Sequence, residues 1–192
     1  ICNDRKYLDA WNNAMKVYPP KTVGGFNSLT IQDSFLRNIP GNSVLHLGVG
    51  QSFFDVRRIN LDPSIDVYCN MGTNGIDGCT STFMGQCAIE KKKKCFLLVG
   101  DLSFFYDLNS IWNKELNSNI RILMVNNNGS GLLRSHNLKA VSSRHDTVAE
   151  GWVKSTGFEY MCAKTKEEYN QKLNYFLSDE PNKPVFFEVL CD

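Results

Sequence analysis

Short apolar runs alternate with stretches whose apolar residues recur at helical spacing along most of the chain. The apolar runs predict strands at 43–47, 65–69, 95–99, 120–125 and 185–190. The helical spacing predicts helices at 7–17, 29–36, 82–89, through 108–112, near 148–154 and at 166–177. This alternation favours parallel strand pairing with helices on both faces. The predicted fold is therefore α/β, a three-layer sandwich with a mainly parallel central sheet.

The composition describes one globular domain with almost balanced charge. The chain has 192 residues, 42% of them hydrophobic, and 21 basic against 20 acidic side chains, for a net charge of +1. Neither a nucleic-acid partner nor a membrane surface is expected, because proteins that bind them usually carry an excess of one sign. The apolar runs are far shorter than the ~18 residues of a spanning helix. Seven cysteines form no CxxC pair, which predicts free thiols in a reducing, cytoplasmic compartment.

Glycine, acid and amide residues follow three of the predicted strands, at 48–52, 100–101 and 126–131. Because the carboxyl ends of parallel strands meet at one edge of the sheet, we expect these segments to share one rim. Backbone N–H groups in glycine loops bind phosphate oxygens, and carboxylate or amide oxygens suit Mg²⁺. The pattern predicts a phosphate and metal site. The glycine fingerprints of Rossmann dinucleotide sites and of P-loops are absent from the sequence.

The segments 100–103 and 126–129 resemble the signature of thiamine diphosphate-dependent enzymes, a Gly-Asp pair followed one helix and one strand later by Asn-Asn. The resemblance implies thiamine diphosphate as cofactor and Mg²⁺ as metal ion. It implies that Mg²⁺ is bound by the Asp101 carboxylate, the Asn127 side-chain oxygen and the Gly129 backbone carbonyl. Asn126 or Asn128 would replace Asn127 if the strand ends one residue differently.

Further segments narrow the resemblance within that superfamily. Gly-Asp-Leu-Ser-Phe at 100–104 and Gly-Ile-Asp-Gly at 75–78 are similar to the menaquinone-biosynthesis branch, the synthases of a succinyl-enolpyruvyl-hydroxycyclohexene carboxylate. The implied role of Ile76 is to hold the cofactor bent. Gly-Val-Gly-Gln-Ser at 48–52 is similar to the diphosphate loop of acetolactate synthases. The cofactor-binding residues so implied are Gly50, Gln51, Ser52, Gly75, Ile76, Gly100, Asp101, Leu102, Ser103, Asn127 and Gly129.

Two positions depart from the menaquinone branch. Met71 stands where those enzymes have an arginine that binds substrate carboxylates, and methionine cannot form a charge-assisted pair. Arg57 lies near the place of a second substrate arginine, with one extra residue before it. The resemblance implies decarboxylation of a 2-oxoacid and transfer of the acyl group, with Ile76 and Arg57 as candidate catalytic residues. Menaquinone-type and acetolactate-synthase-type reactions both remain open, and because of Met71 we expect poor ligation of isochorismate.

The resemblance covers only the diphosphate-binding domain of a three-domain subunit. We expect residues 1–192 to be one such domain, the C-terminal piece of a longer chain, with 1–25 as a linker or helical lead-in. The implied partner is a pyrimidine-binding domain of the same or a partner chain, in a homodimer or homotetramer. The isolated domain is then expected to be inactive. A non-catalytic binding or regulatory domain that retains the fold is the alternative.

Several of these residue types also have ordinary structural roles. Asp101 is a candidate helix cap, and Asp77 and Asp107 are expected to cap helices or fix loops. His46 is expected to be a hydrogen-bonded core residue.

Two polar stretches remain. One contains Arg134, His136, Arg144 and His145 and is either a lid over the site or solvated surface. The other is the lysine run 91–94, which predicts a solvated turn.

Overall fold

The computed structural model describes residues 5–17, 24–57, 59–114, 116–131, 133 and 139–191. Their strands are β1 Val44–Leu47, β2 Asp66–Cys69, β3 Cys95–Gly100, β4 Ile120–Asn126, β5 Glu159–Ala163 and β6 Val185–Leu190. Their helices are α1 Lys6–Val17, α2 Ser28–Asn38, α3 Gln51–Val56, α4 Cys79–Ile89, α5 Asp101–Phe105, α6 Lys139–Ser142, α7 Glu150–Ser155 and α8 Lys166–Leu177, with a 3-10 turn at Leu108–Trp112. Over the described residues, no helix has the length and apolar character needed to cross a membrane.

The strands form one sheet in the order β2-β1-β3-β4-β6-β5. Every neighbouring pair is parallel, from β1 against β2 at one edge to β5 against β6 at the other. The central strands β3, β4 and β6 are buried along almost their whole length. Burial of both faces accounts for their nearly continuous apolar runs. The predicted parallel sheet is confirmed.

Alternate residues of the central strands enter two separate hydrophobic clusters. On one face the strands pack against α2 and α8, which contribute Phe35 and Phe176. On the other face they pack against α4, α5 and α7, represented by Phe83, Phe104 and Val153. Each of these five side chains is fully buried, so both helix layers are held by apolar contact. The three-layer arrangement agrees with the prediction.

The chain changes direction in the sheet between β1 and β3. After β1 it moves outward to β2, and after β3 it moves to β4 on the other side. Ligands of open parallel sheets bind in the crevice at such a switch point. Gly48 leaves β1 there, and its N–H donates to the Leu98 carbonyl at 2.7 Å. A Cβ at Gly48 would lie 3.3 Å from both that oxygen and Val99 Cα, so glycine permits this close approach.

Some element predictions were wrong. The strand β5 was not predicted, because the segment Glu159–Ala163 mixes polar and apolar residues and most of it is half-buried at the sheet edge. Its pairing with β6 decides its conformation. The short helix α6 was also missed. The single helix expected after β3 is instead the five-residue α5 followed by the 3-10 turn.

The lysine run at 91–94 is less solvated than predicted. Lys93 Nζ lies 2.6 Å from the Asp66 carboxylate. Lys94 Nζ donates to the Leu177 carbonyl at 2.7 Å and lies 2.9 Å from Asp179. Lys94 therefore satisfies a carbonyl at the end of α8, where the helix dipole favours a cation.

Glu188 on β6 is a fully buried carboxylate with a donor for each oxygen. Its Oε1 accepts from Asn126 Nδ2 at 2.7 Å. Its Oε2 accepts from the Ala149 N–H at 3.0 Å and from the Tyr160 hydroxyl at 2.7 Å. Burial and the adjacent carboxylate raise the pKa of Tyr160, which keeps the hydroxyl protonated as a donor. These bonds join β4, β5, β6 and the start of α7.

We expect Glu188→Leu to lower the free energy of unfolding by about 3–5 kcal/mol, because two buried donors and the half-buried Tyr160 hydroxyl lose their acceptor. Tyr160→Phe removes one of the three bonds and should cost only about 1–2 kcal/mol. Urea denaturation followed by circular dichroism measures both values. A Glu188→Leu protein as stable as its parent would show that the carboxylate does not hold these elements together.

Candidate functional site

A cavity of about 270 Å³ opens at the carboxyl ends of β1, β3 and β4. Its lining brings together ten residues predicted from the sequence: Gly50, Gln51, Ser52, Ile76, Gly100, Asp101, Leu102, Ser103, Asn127 and Gly129. The expectation that the three strand-end segments share one rim is therefore confirmed. Predicted residues outside this lining are Gly75, which adjoins Ile76, and Arg57.

The Asp101 side chain joins two loops of this rim. It is 2% exposed and is the first residue of α5. Its Oδ1 accepts from the Leu102 N–H at 2.7 Å, and its Oδ2 accepts from the Gly129 N–H at 2.9 Å. The cap of α5 is Gly100, so Asp101 is not the N-cap residue proposed as an alternative. Its carboxylate instead bridges the ends of β3 and β4.

The three consecutive asparagines have different environments. Asn126 ends β4 and is fully buried, and its Nδ2 donates to Glu188 and to the Thr147 carbonyl. Asn128 is exposed and has a left-handed backbone with φ of 60°. Asn127 lines the cavity. Of the three, Asn127 is therefore the one placed beside Asp101 and the glycine loop.

Gly129 turns the chain where no other residue fits. Its φ is 134°, and a Cβ there would lie 2.7 Å from the Ser142 carbonyl oxygen. The same oxygen accepts from the Ser130 N–H at 2.9 Å. The glycine lets the segment that ends α6 pack directly on the loop after β4. The Gly129 amide can then point at Asp101.

Two hydrogen bonds hold the Ile76 loop and the helix α4 that follows it against α5 and the residue Asp107. Ser103 on α5 donates its hydroxyl hydrogen to the Ile76 carbonyl. Asp107 Oδ2 accepts from the Ser81 N–H at 2.6 Å, in the first turn of α4. The predicted structural role of Asp107 is thus confirmed. Gly75 is half-buried beside this loop, and a Cβ there would come within 2.7 Å of Asp77 Oδ1.

His46 supports the same loop from below. It is 2% exposed, and its Nε2 lies 3.2 Å from Asn70 Oδ1. Asn70 Nδ2 donates to the Gly78 carbonyl at 3.2 Å and to Thr82 Oγ1 at 3.0 Å. Burial lowers the pKa of His46, so the ring is neutral at neutral pH. The prediction that His46 is a hydrogen-bonded core residue is confirmed.

The loop after β1 presents backbone to the cavity. Gly50 has φ of 99°, which only glycine adopts readily. The Gln51 side chain donates to both oxygens of Asp55 at 2.8 Å, so its amide hydrogens are engaged within α3. Ser52 is buried and lines the cavity. Backbone N–H groups and the Ser52 hydroxyl are the groups here that suit a phosphate.

Arg57 lies one side chain away from the cavity. It follows α3 and is exposed. Its guanidinium carbon lies 5.0 Å from the centre of the Phe54 ring, and Phe54 lines the cavity. The cation–π contact holds the arginine at the rim. Arg134 and His136 lie outside the described residues.

The sequence left His145 in a polar stretch that is either a lid over the site or solvated surface, and the structure places its Nε2 3.2 Å from Asp101 Oδ2. The two residues are 44 positions apart, and no periodicity relates them. Ser28, Gln32 and Asn74 also line the cavity and were not predicted. Ser28 and Gln32 lie on α2, which the sequence analysis identified from its apolar face and not from its polar residues. Among the described residues, no three His, Cys, Asp or Glu side chains cluster to hold a metal ion.

The chain matches no protein-family model. It is 32% identical over 191 residues to the 2-succinyl-5-enolpyruvyl-6-hydroxy-3-cyclohexene-1-carboxylate synthase of Phocaeicola vulgatus, covering 95% of this chain and 34% of that protein. The enzymes of the same name from Bacteroides fragilis and Flavobacterium psychrophilum are 32% and 37% identical, covering 97% and 85% of this chain and 35% and 31% of theirs. The chain spans about a third of the length of these relatives. Nearly the whole of this chain is therefore similar to one part of the 2-succinyl-5-enolpyruvyl-6-hydroxy-3-cyclohexene-1-carboxylate synthases.

Proposed function

We propose that this chain is the diphosphate-binding domain of a thiamine diphosphate- and Mg²⁺-dependent enzyme that decarboxylates a 2-oxoacid and transfers the acyl group. The observation that carries the proposal is the bridge from Asp101 to the Gly129 N–H, with Asn127 in the lining of the same cavity. This hydrogen bond brings the three proposed metal ligands together through contacts of the protein alone. The names of the relatives support a carboligase of the menaquinone type.

The metal ligands in this proposal are the Asp101 carboxylate, the Asn127 side-chain oxygen and the Gly129 carbonyl. All three residues line one cavity, and all three groups are oxygen donors. Mg²⁺ prefers oxygen ligands and completes its shell with phosphate oxygens and water. A single buried carboxylate with neutral oxygens leaves part of the ion's charge for the cofactor diphosphate. The donor set therefore fits the proposed ion.

The loop at 50–52 is proposed to bind the diphosphate. Gly50 and the buried Ser52 follow β1, and Asp101 follows the neighbouring strand β3. All three residues line the same cavity. Because Gln51 is engaged with Asp55, the contact would come from main-chain N–H groups. Such local contacts need no basic surface, in keeping with the net charge of +1.

Ile76 is proposed to set the conformation of the bound cofactor. When bound, thiamine diphosphate supplies the carbanion chemistry, and the protein supplies orientation. The Ile76 carbonyl is held by the Ser103 hydroxyl, so its apolar side chain is fixed in the cavity wall. The first turn of α5, which holds Asp101 and Ser103, is thereby proposed to position both the metal site and the Ile76 loop.

The proposed partner is a pyrimidine-binding domain of the same or a partner chain, in a homodimer or homotetramer. The chain covers about a third of its relatives, so the active site of the whole enzyme is expected to include residues that this chain does not supply. The isolated domain is accordingly proposed to be inactive. The whole enzyme is proposed to act in the cytoplasm, given the free thiols of the described cysteines.

We expect thiamine diphosphate to bind the complete protein in the presence of Mg²⁺, and we expect Asp101→Ala to abolish this binding. The reason is that Asp101 provides the only charged ligand of the proposed ion. Isothermal titration calorimetry measures the affinity. Asp146→Asn is the matched control, because Asp146 is an exposed acid near the site, and it should bind like the parent. No binding by the parent would favour a non-catalytic domain that retains the fold.

The asparagine run offers a sharper test of the ligand set. Asn127→Ala should weaken Mg²⁺-dependent binding at least about tenfold, a loss of ~1.4 kcal/mol or more, without changing the unfolding midpoint. Asn128→Gly tolerates the positive φ and should leave the affinity unchanged. Asn126→Ala should instead destabilise the fold, because Glu188 loses a donor. Calorimetry and thermal unfolding separate these effects. Loss of binding in Asn128→Gly but not in Asn127→Ala would refute the assignment.

Met71 is proposed to set the acceptor specificity. In the complete enzyme we expect weak turnover of isochorismate with 2-oxoglutarate, because Met71 offers no charge-assisted bond to a substrate carboxylate. Met71→Arg should raise kcat/KM about tenfold or more, whereas Met71→Gln, which adds no charge, should not. Steady-state assays with both variants measure this. Efficient turnover by the unmodified enzyme would show that Met71 does not limit this reaction.

A further inference from the structure

His145 lies on the segment that returns to the sheet after α6. This segment runs along the carboxyl edge of the sheet. At its start the Ser142 carbonyl accepts from the Ser130 N–H, and near its end the Thr147 carbonyl accepts from Asn126 Nδ2. His145 stands between these two attachments. The attachments fix the backbone on both sides of the imidazole, so its position is set by the fold.

The hydrogen bonds of the ring identify its donor nitrogen. Nδ1 accepts from the Thr147 N–H at 3.1 Å. In the neutral ring the hydrogen must therefore be on Nε2. One edge of the ring is covered by Phe105, with the ring centres 5.3 Å apart and nearly perpendicular. The environment leaves Nε2 as a donor directed away from solvent.

Among the described residues, the carboxylate that faces this donor is that of Asp101. Nε2 is buried, and Asp101 Oδ2 lies 3.2 Å away. The contact has the distance of an ion pair but not the alignment of a formed hydrogen bond, so no described residue satisfies Nε2. A buried N–H without an acceptor is costly, and a small rotation toward Oδ2 would remove that cost.

The two carboxylate oxygens of Asp101 therefore face different numbers of hydrogen-bond donors. Oδ2 accepts from Gly129 and faces His145, whereas among the described residues Oδ1 accepts only from Leu102. A carboxylate offers about four lone-pair sites. The count leaves Oδ1 as the oxygen with room for another ligand.

We propose that His145 is a positioning residue for the divalent cation site. It engages Oδ2 of Asp101, fixes the rotation of the carboxylate and so presents Oδ1 to a hard cation such as Mg²⁺. This inference rests on the proposed function, since it assigns a role toward the ion bound by Asp101. Residues that orient a metal ligand by hydrogen bonding typically contribute about 10- to 100-fold to metal affinity.

The test is calorimetric titration of Mg²⁺ into the protein with saturating thiamine diphosphate. His145→Phe keeps a ring against Phe105 but removes the donor, and it should weaken Mg²⁺ affinity about 10- to 100-fold. His145→Gln places an N–H at the position of Nε2 and should restore most of the affinity. Asp146→Asn, next in the chain and exposed, is the control and should match the parent.

Thermal unfolding without metal separates positioning from folding. The inference is supported if His145→Phe and His145→Gln unfold at similar temperatures but differ in Mg²⁺ affinity. Equal affinities of His145→Phe and the parent, or equal losses in both variants, would overturn it while the proposed function stands. A parent protein that binds no Mg²⁺ would overturn both.

Discussion

The hydrogen bond from the Gly129 N–H to Asp101 Oδ2 is the contact on which the site depends. It is 2.9 Å long and joins residues 28 positions apart, at the ends of two neighbouring parallel strands. Because Asp101 starts α5 and Gly129 directly follows the asparagine run, the bond brings Asn127 to the same cavity. A main-chain donor survives every substitution except proline, so the geometry persists as long as residue 129 keeps its N–H and its positive φ.

Two buried carboxylates at this edge of the sheet differ in how fully their oxygens are hydrogen-bonded. Glu188 has three donors, one each from Asn126, Ala149 and Tyr160, and these contacts link three strands and a helix. Asp101 is also buried, but its Oδ1 accepts only one bond from the part of the chain that the structure describes. A saturated buried charge stabilises the scaffold, whereas a partly saturated one retains capacity for a cation. The structural acid Glu188 and the proposed ligand-binding acid Asp101 thus lie on separate elements.

Much of this arrangement could be predicted from local signals. The apolar runs gave the central strands, and their glycine, acid and amide ends gave the rim, because the carboxyl ends of parallel strands converge. The edge strand β5 could not be predicted, since its half-buried residues lack a clear period and its pairing with β6 is non-local. The sequence left the stretch around His145 open between a lid over the site and solvated surface for a related reason. The contact of His145 with Asp101 depends on how the segment after α6 returns, which no spacing encodes.

A crystal structure of the protein with thiamine diphosphate and Mn²⁺, which gives an anomalous signal, tests the central claim most directly. The account predicts one anomalous peak bonded to Asp101 Oδ1, to the Asn127 side-chain oxygen and to the Gly129 carbonyl, with His145 Nε2 donating to Oδ2. The cofactor diphosphate should complete the shell from the side of the 50–52 loop. A cofactor bound with its metal ion away from Asp101 would contradict the account.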